Sequence, residues 1–290
     1  MADASTPYAG FIAELGRCFA SAAGLPLGGF VAPTPAPVPS DSPCVAILAP
    51  HPDDECVIGA LPLRLRREVP MRVVDVAITL GSKVERRAAR RRELEGACKY
   101  LGFELALPAD EGLEKITPAT RTGGPAAWAH ATRALAAVIE KLAPQIIVLP
   151  HAGDWHATHV GTHLLGMDAI AALGPRLDGA TVIETEFWAT MAEPNLMVES
   201  SPRDLADLVT AASFHVGEVA RNPYHVRLPA MLYDNVRRGG ELIGGQGHAA
   251  PPMQFATLYR LRRLRGGQLV APHVSTPRFL PLASDPRALL

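Results

Sequence analysis

The chain has 290 residues, 48% of them hydrophobic and 20% charged, and its 28 lysines and arginines against 29 aspartates and glutamates leave a formal net charge of −1. Acids and bases so nearly balanced provide no basic field of the kind that phosphate backbones or anionic membranes select, so nucleic acid is not an expected partner. No apolar run reaches the ~20 residues of a membrane span, so no stable membrane anchor is expected either.

In chain order, residues 8–24 predict a short amphipathic helix, and "PLGGFVAPTPAPVPSDSP" (26–43) is rich enough in proline and glycine to predict an extended connector. Residues 1–43 therefore read as a helix and linker ahead of one domain over 44–290. From Cys44 onward, short β-branched runs alternate with helical patterns. "CVAILA" is followed by a helix over 56–68, "RVVDVAITL" by 84–101, "FELAL" by 126–142 and "QIIVLP" by 157–173, and then comes "TVIETEFWA". Strands that read as continuous apolar runs, separated by helices, predict a Rossmann-like three-layer α/β fold: a mostly parallel sheet with helices on both faces. The last hundred residues are less regular. A helix is expected after the "SSPRD" cap and another within "NPYHVRLPAMLYDNVRRGG", and "GGQGHAAPPMQ" reads as a loop before "FATLYRLRRL".

Cys18, Cys44, Cys56 and Cys98 lie far apart with no CxxC spacing, which favours packed, reduced thiols over disulfides or a thiolate metal site. With no basic region at the start of the chain, a cytoplasmic protein is expected. No GxGxxG follows the first core strand and no P-loop is present, which argues against dinucleotide binding and phosphoryl transfer.

Ligands of open α/β sheets collect at the carboxyl ends of the strands. Two polar loops fall there: "HPDDE" (51–55) after the first core strand, and "PHAGDWHATHVGTH" (150–163) after "QIIVLP". Together they offer His51, Asp53, Asp54 and Glu55 from one side, and His151, Asp154, His156, His159 and His163 from the other. Imidazole and carboxylate donors without thiolate are the set that catalytic zinc sites use, commonly with three protein ligands.

These residues resemble the LmbE/PIG-L-like zinc-dependent N-deacetylases. "PHPDDE" matches that family's first loop letter for letter, and "HATH" (156–159) keeps the two histidines of its second motif while losing the proline and aspartate between them. "RRRELEGACKYLGFE" is similar to its RxxEL helix, with Arg90 and Glu93 on the matching positions. The resemblance covers about residues 44–175. It implies His51, Asp54 and His159 as ligands of Zn2+, or of Fe2+ in the cell, with Asp53 as general base and His156 polarising the substrate carbonyl or protonating the leaving amine. It further implies Arg90 and Asp110 as substrate contacts, Glu55 as a residue holding the loop or a ligand, and removal of an acetyl group from an N-acetylglucosamine-type sugar or related small molecule.

On the residues alone, Glu55 equally suits a helix N-terminus, Asp154 is expected to orient His156, and His163 is a rival to His159 because it lies four positions on along the same helix face. His215, Tyr224 and His248 are weaker candidates for the pocket mouth. An amidase acting on a non-sugar amide and an inactive carbohydrate-binding relative stay open as alternatives, although an unligated Asp53 beside a metal argues for catalysis. A small-molecule or glycan substrate is the expected partner, and self-association is left open.

Overall fold

A computed structural model of the chain describes residues 6–290. The helices are α1 (Pro7–Ala22), α2 (Asp54–Val57), α3 (Leu61–Glu68), α4 (Val84–Leu101), α5 (Pro118–Gly123), α6 (Pro125–Leu142), α7 (Ala157–Leu173), α8 (Pro202–Ala212), α9 (Val216–Val219) and α10 (Leu228–Gly244). The strands are β1 (Cys44–Ala49), β2 (Arg72–Ala77), β3 (Glu104–Ala106), β4 (Ile146–Pro150), β5 (Thr181–Thr185), β6 (Leu196–Glu199), β7 (Ala256–Arg265), β8 (Gln268–Val270) and β9 (Phe279–Leu280). They form one sheet in the order β3-β2-β1-β4-β5-β7-β6-β9, with β8 paired to β7. Pairings from β3 through β5 are parallel, and β7 runs antiparallel to both β5 and β6.

β1 shows why the apolar runs are continuous. All six of its residues are buried. Val45, Ile47 and Ala49 pack with residues of α3, α4 and α8 on one face, while Ala46 and Leu48 pack with residues of α6 and α7 on the other. Successive side chains point to opposite faces, so a strand covered on both sides has no position for a polar residue. This is the α/β architecture with helices on both faces that the sequence predicts.

Two expectations need correction. The helix read over 56–68 is two helices, a single turn (α2) and α3, broken at Gly59, whose φ of +80° a side chain resists. A Cβ there would lie 1.9 Å from Thr257 Oγ1, so β7 approaches too closely for any residue but glycine. The chain end also contributes more sheet than its irregular pattern suggested, because "FATLYRLRRL" forms most of β7, the longest strand.

The segment between α1 and β1 has no helix or strand and lies along the domain: Arg66 donates to Ala36 O (2.8 Å), and Gly28 N–H donates to Ser213 Oγ (3.3 Å). No residue of α1 is buried, and Tyr8, Phe11, Ile12 and Leu15 are exposed on it. Among the described residues, no helix is long and apolar enough to cross a membrane, and the four cysteines are free thiols.

Candidate active site

The order 3-2-1-4-5 reverses direction between β1 and β4, and at such a switch point the two outgoing loops separate and leave a crevice. The loop after β1 carries His51–Glu55, and the loop after β4 carries His151–His156 and leads into α7. A cleft of about 680 Å³ opens there, lined among others by His51, Asp53, Asp54, Arg90, His156, His159 and Trp188. The loop after β2 is pinned against the loop after β1 by Thr79, whose hydroxyl donates to Pro50 O at 2.8 Å.

Asp54 is buried, and its Oδ2 accepts the His51 backbone N–H at 2.8 Å. The same oxygen lies 3.4 Å from His51 Nδ1 and 3.4 Å from His159 Nε2. Donors around a tetrahedral ion with bonds of about 2.0–2.1 Å are spaced about 3.3–3.4 Å apart, so each of these histidine nitrogens lies at the spacing from Asp54 Oδ2 that two ligands of one zinc-sized divalent cation need. His159 is held in the tautomer such a role requires: its Nδ1 faces Asp154 Oδ2 at 3.0 Å, which leaves Nε2 turned to Asp54. Burial disfavours charge on both Asp54 and His159, but each overcomes it through the other. The histidines hold Asp54 below the ordinary carboxylate range, and Asp54 with Asp154 raises His159.

His156 joins His51 and His159 in one cluster of ring nitrogens within 4.8 Å of one another. As N-cap of α7, its Nδ1 accepts the Thr158 N–H at 3.2 Å, so the neutral ring carries its proton on Nε2. Burial, followed by the neighbouring His51 and His159, lowers its pKa. His156 is therefore a neutral donor, which suits a carbonyl oxygen better than a cation. Asp154 was expected to orient this ring. Instead its Oδ1 accepts the His156 backbone N–H (2.8 Å) and its Oδ2 orients His159.

Asp53 stands apart from the trio. Its φ of +117° is a left-handed conformation that aspartate adopts more readily than most residues. Two contacts hold it: Glu55 Oε2 accepts its N–H at 2.9 Å, and the Tyr224 hydroxyl donates to its Oδ2 at 2.5 Å. Oδ1 has the Arg90 guanidinium at 3.8 Å. Burial, reinforced by the adjacent Asp54 charge, pushes its pKa up to about 6, the range of a general base at neutral pH.

Behind the loop, Glu55 and His215 are fully buried and bonded at 2.7 Å, and Cys56 Sγ donates to the same Glu55 oxygen at 3.1 Å. The N···O separation is a hydrogen bond, too short for two ligands of one tetrahedral ion. Glu55 thus holds the loop. His215 lies beneath the site and away from its mouth.

Other expected residues fall elsewhere. His163 turns its Nδ1 to Pro150 O (2.8 Å), away from the trio, and His151 bonds Ala189 O (3.0 Å). Asp110 is exposed, its carbonyl accepts from Arg91, and it does not line the cleft; the wall there is Leu113–Thr117. The resemblance implied an acid near the sugar, but the chain turns at Gly112, where φ is +70°, between Asp110 and the wall. His248 stacks on Phe279, away from the cleft. Arg90 does line the cleft, with its Nη2 donating to Pro52 O at 2.9 Å, and Glu93 caps α9 by accepting the Gly217 N–H at 3.0 Å. Trp188, packed on Tyr224, and Glu218 are cleft residues for which the sequence carried no signal, because neither falls in a recognisable pattern.

The 113–117 wall rests on α7 at Gly161, where a Cβ would lie 2.2 Å from Ile116 O and 2.7 Å from Thr117 N. Because the clash is with backbone, Gly161→Ala is expected to cost about 1–3 kcal/mol, read as a lower urea midpoint at unchanged m-value.

A family model described as PIG-L, GlcNAc-PI de-N-acetylase, matches residues 46–170. Comparison with curated proteins gives no match. Among solved structures, N,N'-diacetylchitobiose deacetylase from Pyrococcus horikoshii aligns with a TM-score of 0.56 at 17% identity, covering 94% of this chain and 99% of that one. GalB, the 4-carboxy-2-hydroxymuconate hydratase of Pseudomonas putida KT2440, aligns at 0.57 and 13% identity over 79% and 100%. The zinc-inhibited form of teicoplanin deacetylase Orf2 aligns at 0.53 and 13% over 77% and 99%. At these identities the structures share a fold, and that fold carries a hydratase as well as deacetylases. The loop that brings His51, Asp53 and Asp54 together and the helix that presents His159 both lie within the matched residues, so residues 46–170 carry a PIG-L (LmbE-like) deacetylase family domain.

Proposed function

We propose that the protein is a metal-dependent hydrolase that removes an acetyl group from an N-acetylated sugar, of the N-acetylglucosamine type, or from a related small molecule. The observation that carries this reading is the pairing of a three-donor cradle with an unliganded carboxylate: Asp54 Oδ2 is equidistant from His51 Nδ1 and His159 Nε2, and Asp53 beside it points elsewhere. Zn2+, or Fe2+, held by His51, Asp54 and His159 would supply Lewis-acid polarisation of the acyl carbonyl and a lowered pKa for water.

The chain's own residues do the rest. Asp53 takes the proton of the attacking water on Oδ1, because Oδ2 is already engaged by the Tyr224 hydroxyl. His156 faces the cleft with Nε2–H and donates to the carbonyl oxygen as negative charge develops on it. The C–N bond then breaks and nitrogen leaves as the amine with the proton that Asp53 took from the water. Arg90, fixed by Pro52 O, and Trp188 form the adjacent walls and position the sugar ring. The free thiols agree with a cytoplasmic setting.

The test is metal analysis of the purified protein combined with acetate release from a panel of N-acetylated sugars and non-sugar acetamides. The reading requires close to one divalent ion per chain, acetate from at least one sugar, and loss of both on chelation with recovery on adding Zn2+ or Fe2+. Acetate from acetamides alone would move the protein to a general amidase. Metal without hydrolysis of any amide would leave it a binding protein on the same scaffold.

A further inference from the structure

Two of the three tryptophans are packed into the protein. Trp128 is buried, with its Nε1–H donating to Asp168 at 2.8 Å, and Trp188 is half-buried, edge-on to Tyr224 at a centroid separation of 5.2 Å. Trp155 is instead 72% exposed. A single apolar side chain in water is ordinary on a protein surface, and it is the place of this one that distinguishes it. Trp155 lies in the loop between β4 and α7, at the carboxyl end of the sheet, and its ring stands 5.6 Å from the ring of His156 at an angle of 68°. His156 and Thr158 line the cleft and Trp155 does not, so the indole stands on the rim, one ring outside the donor that faces the acyl carbonyl.

The backbone beneath it is locked. Asp154 is buried with both carboxylate oxygens engaged, Oδ1 by the His156 N–H at 2.8 Å and Oδ2 by His159 Nδ1 at 3.0 Å, and His156 caps α7. Trp155 sits between these two fixed residues with only two side-chain torsions left to order. An indole so placed presents a flat, electron-rich face at little entropic cost to binding. Its complement is another ring with a face or edge of C–H groups, a pyranose or an arene. Resting on the deacetylase reading for the reacting end, we propose that Trp155 is a specificity-determining residue: a stacking platform for a second ring that is attached to the N-acetylated one and lies outside the cleft. The substrate is then a glycoside carrying a sugar or an aromatic ring, and a free monosaccharide leaves the platform unused.

The test is calorimetric titration of the metal-loaded protein with three amines that hold no acetyl group to lose: methyl β-glucosaminide, the β-1,4-linked disaccharide of glucosamine, and phenyl β-glucosaminide. At least one ligand with a second ring is expected to bind about fivefold or more tightly than the methyl glycoside, the gain that a stacked ring gives. The ligand that does so identifies the ring. Trp155→Ala should bring the ratio to about twofold or less, and Trp155→Phe, which keeps a smaller face, should retain part of it. Iodide quenching of the wild-type tryptophan emission reads the same contact without a substitution, because Trp155 is the tryptophan open to water. The two-ring ligand should shield it, and the methyl glycoside should not. Equal binding of all three, binding of none, a preference that survives Trp155→Ala, or an indole left open to iodide by the tighter ligand overturns the proposal. Acetate release from the N-acetylated forms of the same three ligands separates the two readings. A second-ring preference without acetate from any of them removes the deacetylase assignment alone, whereas acetate from all three at equal kcat/KM removes the role of Trp155 alone.

Discussion

Asp53→Asn is expected to lower kcat by about 10²–10⁴-fold on any amide the wild type hydrolyses, with divalent metal still bound at wild-type stoichiometry. The substitution is the right one because asparagine tolerates the left-handed backbone at this position, where φ is +117°, and can still accept from the Tyr224 hydroxyl. Only the basicity is removed. His51→Ala and Asp54→Ala act differently, since each breaks a pair of donors 3.4 Å apart around Asp54 Oδ2, and both should lose metal as well as turnover. Paired measurements of kcat and of metal by atomic emission separate the two classes. A normal rate in the Asp53→Asn variant would show that the proton leaves by another route, and loss of metal from that variant would place Asp53 among the ligands.

His215→Ala is expected to cost about 3–5 kcal/mol of unfolding free energy, because it strands a buried carboxylate. Glu55 and His215 are both fully buried, with their bond (2.7 Å) closing a contact between residues 160 positions apart. Burial works against a charged imidazole here, but Glu55 outweighs it and raises the His215 pKa. Without that cation, Glu55 keeps only the Cys56 thiol and the Asp53 N–H. Since Glu55 also fixes the strained Asp53 backbone, kcat should fall in the folded fraction too. His215→Gln, which retains a donor, should recover part of both losses. Urea denaturation read by fluorescence, with activity at low urea, checks this; a change below about 1 kcal/mol would mean that the pair contributes little.

How far the sequence could be read depends on the range of the interactions involved. β1 was legible because burial on both faces requires an unbroken apolar run, and the parallel order followed from the helices between strands. His51, Asp53, Asp54, His156 and His159 were legible because two short loops carry all of them, next to strands whose ends the pattern locates. Asp110 was placed by the resemblance alone, which says nothing of where this chain turns, and it does not line the cleft. Tyr224 and His215 offered only their residue types.

The sequence by itself determined the α/β class, the two polar loops and the donor chemistry, since each depends on residues within a few positions of one another. Tertiary structure decided everything that joins distant positions: that Asp154 orients His159, that Tyr224 occupies one oxygen of Asp53, and that three arginines share Glu218. Arg64 illustrates the same limit within the scaffold. It is wholly buried and donates to the carbonyls of Leu280, Pro281, Leu282 and Ser284, more than 200 residues away. A buried polar group must find partners, and only the folded chain specifies which ones come within reach.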